Sequence, residues 1–237
     1  MTTNTTSMGS GAMFDGIARR YDLVNRVMSL GLDLRWRRAL VEALVSAAPA
    51  DGEILDVATG TADVALALAA AAPGIRVVGL DPSEQMLAQG RRKVEEGGLA
   101  GRIRLDVGDG QALPYEDGRF DAACVSFGIR NFPDRSVGLR ELARVTRSGG
   151  RVAILELAEP RGVGLLGRAA RAHVRHVVPR IGGLLSGSRE YRYLQRSIAA
   201  FPPAEEFLRL MREAGLREAR ARPMTFGAVV LFVGEVG

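Results

Sequence analysis

An α/β fold with a mostly parallel, doubly wound sheet is what this sequence predicts, and three stretches predict it. Glu53-Ile-Leu-Asp-Val-Ala-Thr-Gly-Thr-Ala-Asp-Val-Ala-Leu-Ala-Leu-Ala69 runs from a short apolar strand through small residues into an apolar helix. Val77-Val-Gly-Leu-Asp-Pro-Ser-Glu-Gln-Met-Leu87 repeats the plan, with Asp81 at the strand end and Ser83 placed to cap the next helix. Arg102-Ile-Arg-Leu-Asp-Val-Gly-Asp-Gly-Gln-Ala-Leu-Pro114 reads as a third strand closing on a Gly108-Asp109-Gly110 turn. Strands that alternate with helices build a parallel sheet, and ligands of such sheets sit outside the carboxyl ends of the strands.

The remaining elements follow in order. Met1 to Gly11 is polar and small, lacks the apolar core of a secretory signal, and is expected to be a disordered tail. Phe14, Ile17 and Tyr21, then Trp36, Leu40, Ala43 and Leu44, recur at helical spacing, so residues 12–48 are expected to form a helical cap. Phe120 to Phe127 reads as a central fourth strand with Ser126 at its end, followed by a loop over Gly128 to Asp134 and a helix through Leu139, Leu142 and Val145. Gly149-Gly150 is expected to turn into the strand Val152-Ala-Ile-Leu-Glu-Leu157. The charge run Arg91 to Glu96 reads as a solvated helix face. Near the end, Glu205 to Leu216 reads as a helix stopped by Gly215, with Arg217 to Arg222 and Phe226 to Val233 as a closing pair of strands. The alternating bulky residues from Phe226 to Phe232 are expected in the core. The expected whole is one domain over residues 12–237, a seven-stranded Rossmann-like sheet.

Composition sets the broad class. The chain has 237 residues, 47% of them hydrophobic, enough for one large core, and a net charge of +5. That balance suits attraction to anionic surfaces, and no nucleic-acid motif accompanies it. The single cysteine, Cys124, excludes a disulfide framework and fits a cytoplasmic protein. No apolar run reaches the ~20 residues of a membrane helix. His173 and His176, the only histidines, have no Cys, Asp or Glu beside them to complete a metal site, so no metal is expected. The Gly-x-Ser-x-Gly elbow of a serine hydrolase is missing. Residues 161–189 carry no acid, and Arg168, Arg171 and Arg175 share one helical face. Such a basic amphipathic stretch suits an anionic membrane surface, a lid or a contact between subunits.

The first strand–turn–helix also speaks to the ligand. Gly60 is followed by Ala62 and no third glycine, short of a dinucleotide fingerprint, and Asp56 and Asp63 bracket the turn at Gly60 and Thr61. Two carboxylates suit a cofactor with a cationic head group, such as S-adenosylmethionine, better than a pyrophosphate; an ordinary capped strand–helix turn is the plainer alternative. Asp81, 21 positions after Gly60, is spaced to reach ribose hydroxyls. Asp109 can accept from an adenine amino group, with Gly110 giving access to the ring, and Ser126 lies where the chain would pass the methyl-donor end.

At a wider scale the sequence resembles the menaquinone and ubiquinone biosynthesis C-methyltransferases, a branch of the class I S-adenosylmethionine-dependent methyltransferases. The resemblance runs from about Met13 to the C-terminus. It is carried by Met13-Phe-Asp-Gly-Ile-Ala-Arg-Arg-Tyr-Asp22, by Asn25, Ser29, Gly31 and Trp36, and by Ser126-Phe-Gly-Ile-Arg-Asn-Phe132. Arg144-Val145, Gly149-Gly150, Glu156 and Tyr191-Arg-Tyr-Leu-Gln-Arg-Ser-Ile198 leading into Phe201-Pro202 extend it. Asp33 stands where the pattern has His, Arg147-Ser148 where it has Lys-Pro, and Ala158 where it has Ser. The resemblance implies methylation of a ring carbon of a polyprenylated quinol, demethylmenaquinol first and a ubiquinone-pathway benzoquinol second. It also implies substrate contacts at Tyr21 and Asp22 and catalytic roles for Arg130 and Asn131. A guanidinium with a pKa above 12 is a poor base, yet it can stabilise a phenolate, and Asn131 can orient an oxygen or a water. Spacing alone leaves open that Arg130 merely pairs with an acid such as Asp134. A nicotinamide-dependent oxidoreductase would share the fold, and Asp56, Asp63 and the incomplete glycine pattern argue against it.

Overall fold

The computed structural model describes Arg26, residues 29–159 and residues 188–237, with backbone only for 188–191. Tyr21 and Asp22, the two histidines, and the basic stretch over residues 161–187 lie outside these described residues.

A seven-stranded sheet in the order β3-β2-β1-β4-β5-β7-β6 carries the molecule. Its strands are β1 (Glu53–Val57), β2 (Arg76–Asp81), β3 (Ile103–Val107), β4 (Phe120–Ser126), β5 (Thr146–Leu157), β6 (Leu216–Met224) and β7 (Val229–Val236). The first five run parallel, while β7 is antiparallel to both β5 and β6. Helices α1 (Asp33–Val45), α2 (Asp63–Ala71), α3 (Glu84–Glu96), α4 (Arg135–Val145), α5 (Ser188–Ala199) and α6 (Ala204–Glu213) connect them.

Side chains of a strand alternate between its faces, so the inner parallel strands are buried on both, while the edge strand β3 buries only Ile103 and Leu105. Ile54 and Cys124 join Trp36, Leu40, Val64 and Leu68 on the α1–α2 face. Their neighbours Leu55 and Val125 join Leu139, Leu142, Phe207 and Phe232 on the α4–α6 face. Within the expected N-terminal helical segment, α1 forms a layer beside α2 on the first of these faces.

Local signals explain most boundaries. Ser83 Oγ accepts from Met86 N at 3.2 Å and starts α3. Asp134 Oδ1 accepts from Ser136 N and Val137 N and starts α4. Differences from expectation are local. β5 begins earlier, at Thr146, and its pairing with β4 slips between Phe120 and Ala122, so Gly149-Gly150 form an irregularity inside the strand rather than its entry. Phe226 leaves the core: it sits in a left-handed turn at φ 56° and is 55% exposed, because the reversal between β6 and β7 occupies Thr225–Gly227. Lys93 leaves the solvated face of α3 and reaches back to Asp63 at 2.7 Å.

Candidate active site

Because β2 and β4 flank β1 on opposite sides, connections leave β1 in two directions and a crevice opens at its carboxyl end. The crevice is lined by Val57, Ala58 and Gly60 after β1, and by Asp81, Pro82 and Met86 after β2. Gly108 to Gln111 close it after β3, and Ser126 to Gly128 with Asn131 to Pro133 after β4.

Backbone geometry shapes this opening. Gly60 takes φ 57°, a conformation open to glycine, and its N–H donates to Asp81 Oδ2 at 2.9 Å. Asp81 Oδ1 accepts from Ser83 N at 2.9 Å, so two backbone donors aim this carboxylate at the crevice. A Cβ on Gly110 would stand 2.5 Å from the Phe132 ring and 2.8 Å from Val57, so glycine lets these two side chains pack against the turn. Asp109 Oδ1 accepts from Gln111 N at 2.9 Å. Ala58 and Phe127, both in the lining, also have positive φ, 56° each. Non-glycine residues held in that region concentrate where a site over-determines the backbone.

Six residues picked from the sequence therefore meet at one crevice: Gly60, Asp81, Asp109, Gly110, Ser126 and Asn131. Ser126 Oγ is buried and has no hydrogen-bond partner among the described residues.

Three others stand behind the lining. Asp56 is buried, accepting from Thr59 Oγ1 at 2.6 Å and lying 3.5 Å from Cys124 Sγ. Burial pushes its carboxyl up to about 6, against the opposing pull of the Thr59 and Cys124 bonds. Thr61 is buried and accepts from Lys93 Nζ at 3.0 Å. Asp63, read from the sequence as part of a pair facing a cationic ligand, is instead bound by Arg37 at 2.6 Å and Lys93 at 2.7 Å. Burial raises the Asp63 carboxyl, but Arg37 and Lys93 more than offset it and hold it below the usual range.

Arg130 is also buried, and its acid partner is Glu156 rather than Asp134. Nη1 donates to Glu156 Oε1 at 2.9 Å and to the Phe127 carbonyl. Glu156, with no exposure, accepts as well from Arg130 N at 3.1 Å and Leu157 N at 2.7 Å. Asn131 points the other way: it lines the crevice and its Oδ1 accepts from Tyr193 Oη at 3.2 Å. In the sequence Glu156 and Tyr193 stand only within the family resemblance, with no role assigned to either. A lone acid inside the apolar run of β5 was the available signal for Glu156.

Among the described residues no helix is long and apolar enough to cross a membrane, and no cluster of three or more metal-ligating side chains is present. Residues 2–235 match the ubiE/COQ5 methyltransferase family. The ubiquinone/menaquinone biosynthesis C-methyltransferase UbiE of Geobacter sulfurreducens is 45% identical over 95% of this chain and 87% of its own length. The demethylmenaquinone methyltransferase of Thermus thermophilus is 46% identical over 94% of this chain and 99% of its own. A structure of a SAM-dependent methyltransferase from Aquifex aeolicus superposes with a TM-score of 0.59, at 17% identity, over 83% of this chain and 89% of its own, a likeness of fold alone. With its switch-point crevice and its match along nearly the whole sequence, the chain belongs to the ubiE/COQ5 methyltransferase family.

Proposed function

We propose that this chain transfers the methyl group of S-adenosylmethionine to a ring carbon of a polyprenylated quinol, demethylmenaquinol in the first place. The observation that carries the reading is that Asn131 shares one crevice with Gly60, Asp81, Asp109, Gly110 and Ser126. The donor side and the ring-activating side are then within one opening. The names of the relatives from Geobacter and Thermus support the quinone class.

The residues present fit the cofactor. The buried Ser126 hydroxyl, which has no hydrogen-bond partner among the described residues, lines the crevice with the carboxylates of Asp81 and Asp109. Asp81 would hold ribose hydroxyls, Asp109 the adenine end, and the Gly60 turn would allow close approach. When bound, S-adenosylmethionine supplies a sulfonium-activated methyl group open to in-line displacement. The protein's part is to position two reactants and exclude water. A phenolate makes the adjacent ring carbon nucleophilic, and Arg130, paired with Glu156 behind the lining, would hold the loop that presents Asn131 to that ring. Asn131, with its carbonyl already engaged by Tyr193, would offer its amide N–H to a substrate oxygen or to the water that removes the ring proton.

A comparison of acceptors tests the substrate. Reduced short-chain demethylmenaquinone should be turned over faster than a reduced 2-methoxy-benzoquinone of equal tail length. The reverse order would move the assignment to the ubiquinone-pathway ring. Collection of the substrate from lipid is the role proposed for residues 161–189, and flotation with anionic liposomes tests it; protein that stays at the bottom of the gradient rejects the membrane contact.

A further inference from the structure

A second cavity, of about 450 Å³, opens between the carboxyl end of β5, the turn into β7, and the junction of α5 with α6. Among the described residues lining it, Glu159 is the one polar side chain; Ala158, Ala199, Phe201, Pro202 and Phe226 are typical of the rest. We infer that this groove holds the isoprenoid tail of the quinol, an inference that rests on the quinol reading above.

Continuity is the first argument. Ala158 lies two residues beyond Glu156, the carboxylate that holds Arg130. Ala199 ends α5, the helix whose Tyr193 hydroxyl donates to Asn131. Arg135 ties the groove wall to the loop of Arg130 and Asn131, its guanidinium lying 5.7 Å from the Phe201 ring and donating to the Arg130 carbonyl at 3.3 Å, so the tail of a ring held at Asn131 would leave along this wall. Ala158 is also one of the three departures from the family pattern, and it removes a hydroxyl from the groove wall.

Phe226 supplies the second argument. Thr225, Phe226 and Gly227 hold φ 45°, 56° and 85° in succession. The turn is held to α1 by Trp36 Nε1, which donates to Thr225 Oγ1 at 2.8 Å. Left-handed geometry is unfavourable for a β-branched or bulky residue. An aromatic ring that is 55% exposed recovers little of that cost by burial. Asn would suit this backbone better and would keep the turn soluble. The ring at this position is accounted for by something apolar that covers it, and a flexible hydrocarbon chain fits an open groove whose described lining carries a single polar side chain.

The test uses the full chain and two acceptors with the same reduced naphthoquinol head, one without a tail and one with a short isoprenoid tail. Two variants probe the groove: Phe226→Asn, which removes apolar surface while favouring the local backbone, and Ala199→Trp, which fills the cavity from an exposed helix end. Each should raise KM for the tailed acceptor by roughly tenfold or more. The tailless acceptor, kcat and S-adenosylmethionine affinity should be unchanged, and Phe226→Asn should melt no lower than wild type. Equal effects on both acceptors, or none on either, overturn the groove assignment. Phe226→Asn converting a dimer to a monomer, with the tailed KM unmoved, makes a second copy the occupant and also overturns it. Wild-type transfer to neither acceptor is a different failure, since it removes the quinol reading itself.

Discussion

Arg130 and Asn131 are adjacent in sequence but face different surroundings, and the difference defines their parts. Arg130 is locked against Glu156 in the interior, whereas Asn131 opens on the crevice. Removing one partner of a buried pair leaves a charge uncompensated, so Glu156→Ala should cost roughly 3–5 kcal/mol in urea unfolding. Glu156→Gln keeps the shape and should hold most of the fold while lowering kcat; a Gln variant with full turnover would show that the pair is only structural. Ser126→Ala removes a buried hydroxyl that has no partner among the described residues, so it should not destabilise the free enzyme. It should weaken S-adenosylmethionine binding about fivefold by calorimetry, the worth of one net hydrogen bond. Asp56 gives a pH signature. Its folded pKa of about 6 lies above the ~4 of the unfolded chain, so the fold binds the extra proton between those values. The contribution of Asp56 to stability therefore falls as pH rises from about 4 to about 6, by roughly 3 kcal/mol, and stays lost above. Asp56→Asn should flatten that slope, and unfolding curves at pH 4.5 and 7.5 that differ as in wild type would contradict it.

At the scale of elements, an ion-pair chain joins parts that are remote in sequence. Asp33, on α1, accepts from Ser29 Oγ at 2.8 Å and pairs with Arg26 at 3.4 Å and Arg37 at 3.3 Å. Arg37 bridges to Asp63 at the start of α2, and Asp63 continues to Lys93 on α3 and thence to Thr61. Asp33, a departure from the family pattern, thus ties the N-terminal segment to the turn that carries Gly60. Arg37→Met should destabilise the protein by on the order of 2 kcal/mol. Hydrogen exchange should speed up at the amino end of α2, and exchange unchanged there would break the proposed link. Strand–helix alternation and caps such as Ser83 were legible in the sequence because they depend on near neighbours. The destination of Asp63 was not, since its partners lie 26 and 30 residues away and meet it only after the sheet forms. Phe226 was misplaced for a related reason: its apolar character continued the strand pattern, while the left-handed turn that expels it is imposed by the β6–β7 pairing.

For the whole molecule, sheet order does most of the functional work. Placing β1 between β2 and β4 brings Asp81, Asp109 and Ser126 to one crevice, and the sequence already showed those strand ends one by one. Which of the chosen residues would face the crevice could not be read that way. Asp56, Thr61 and Arg130 share the local signals of residues in the lining, and only three-dimensional packing turns them behind it. The central claim is methyl transfer to a quinol ring carbon, and one assay meets it most directly. Purified protein would be given methyl-labelled S-adenosylmethionine and short-chain demethylmenaquinone, either chemically reduced or left oxidised. The account predicts label on the ring carbon with the reduced form alone, and its loss in Asn131→Ala. Label on an oxygen, or equal transfer to the oxidised quinone, would contradict it.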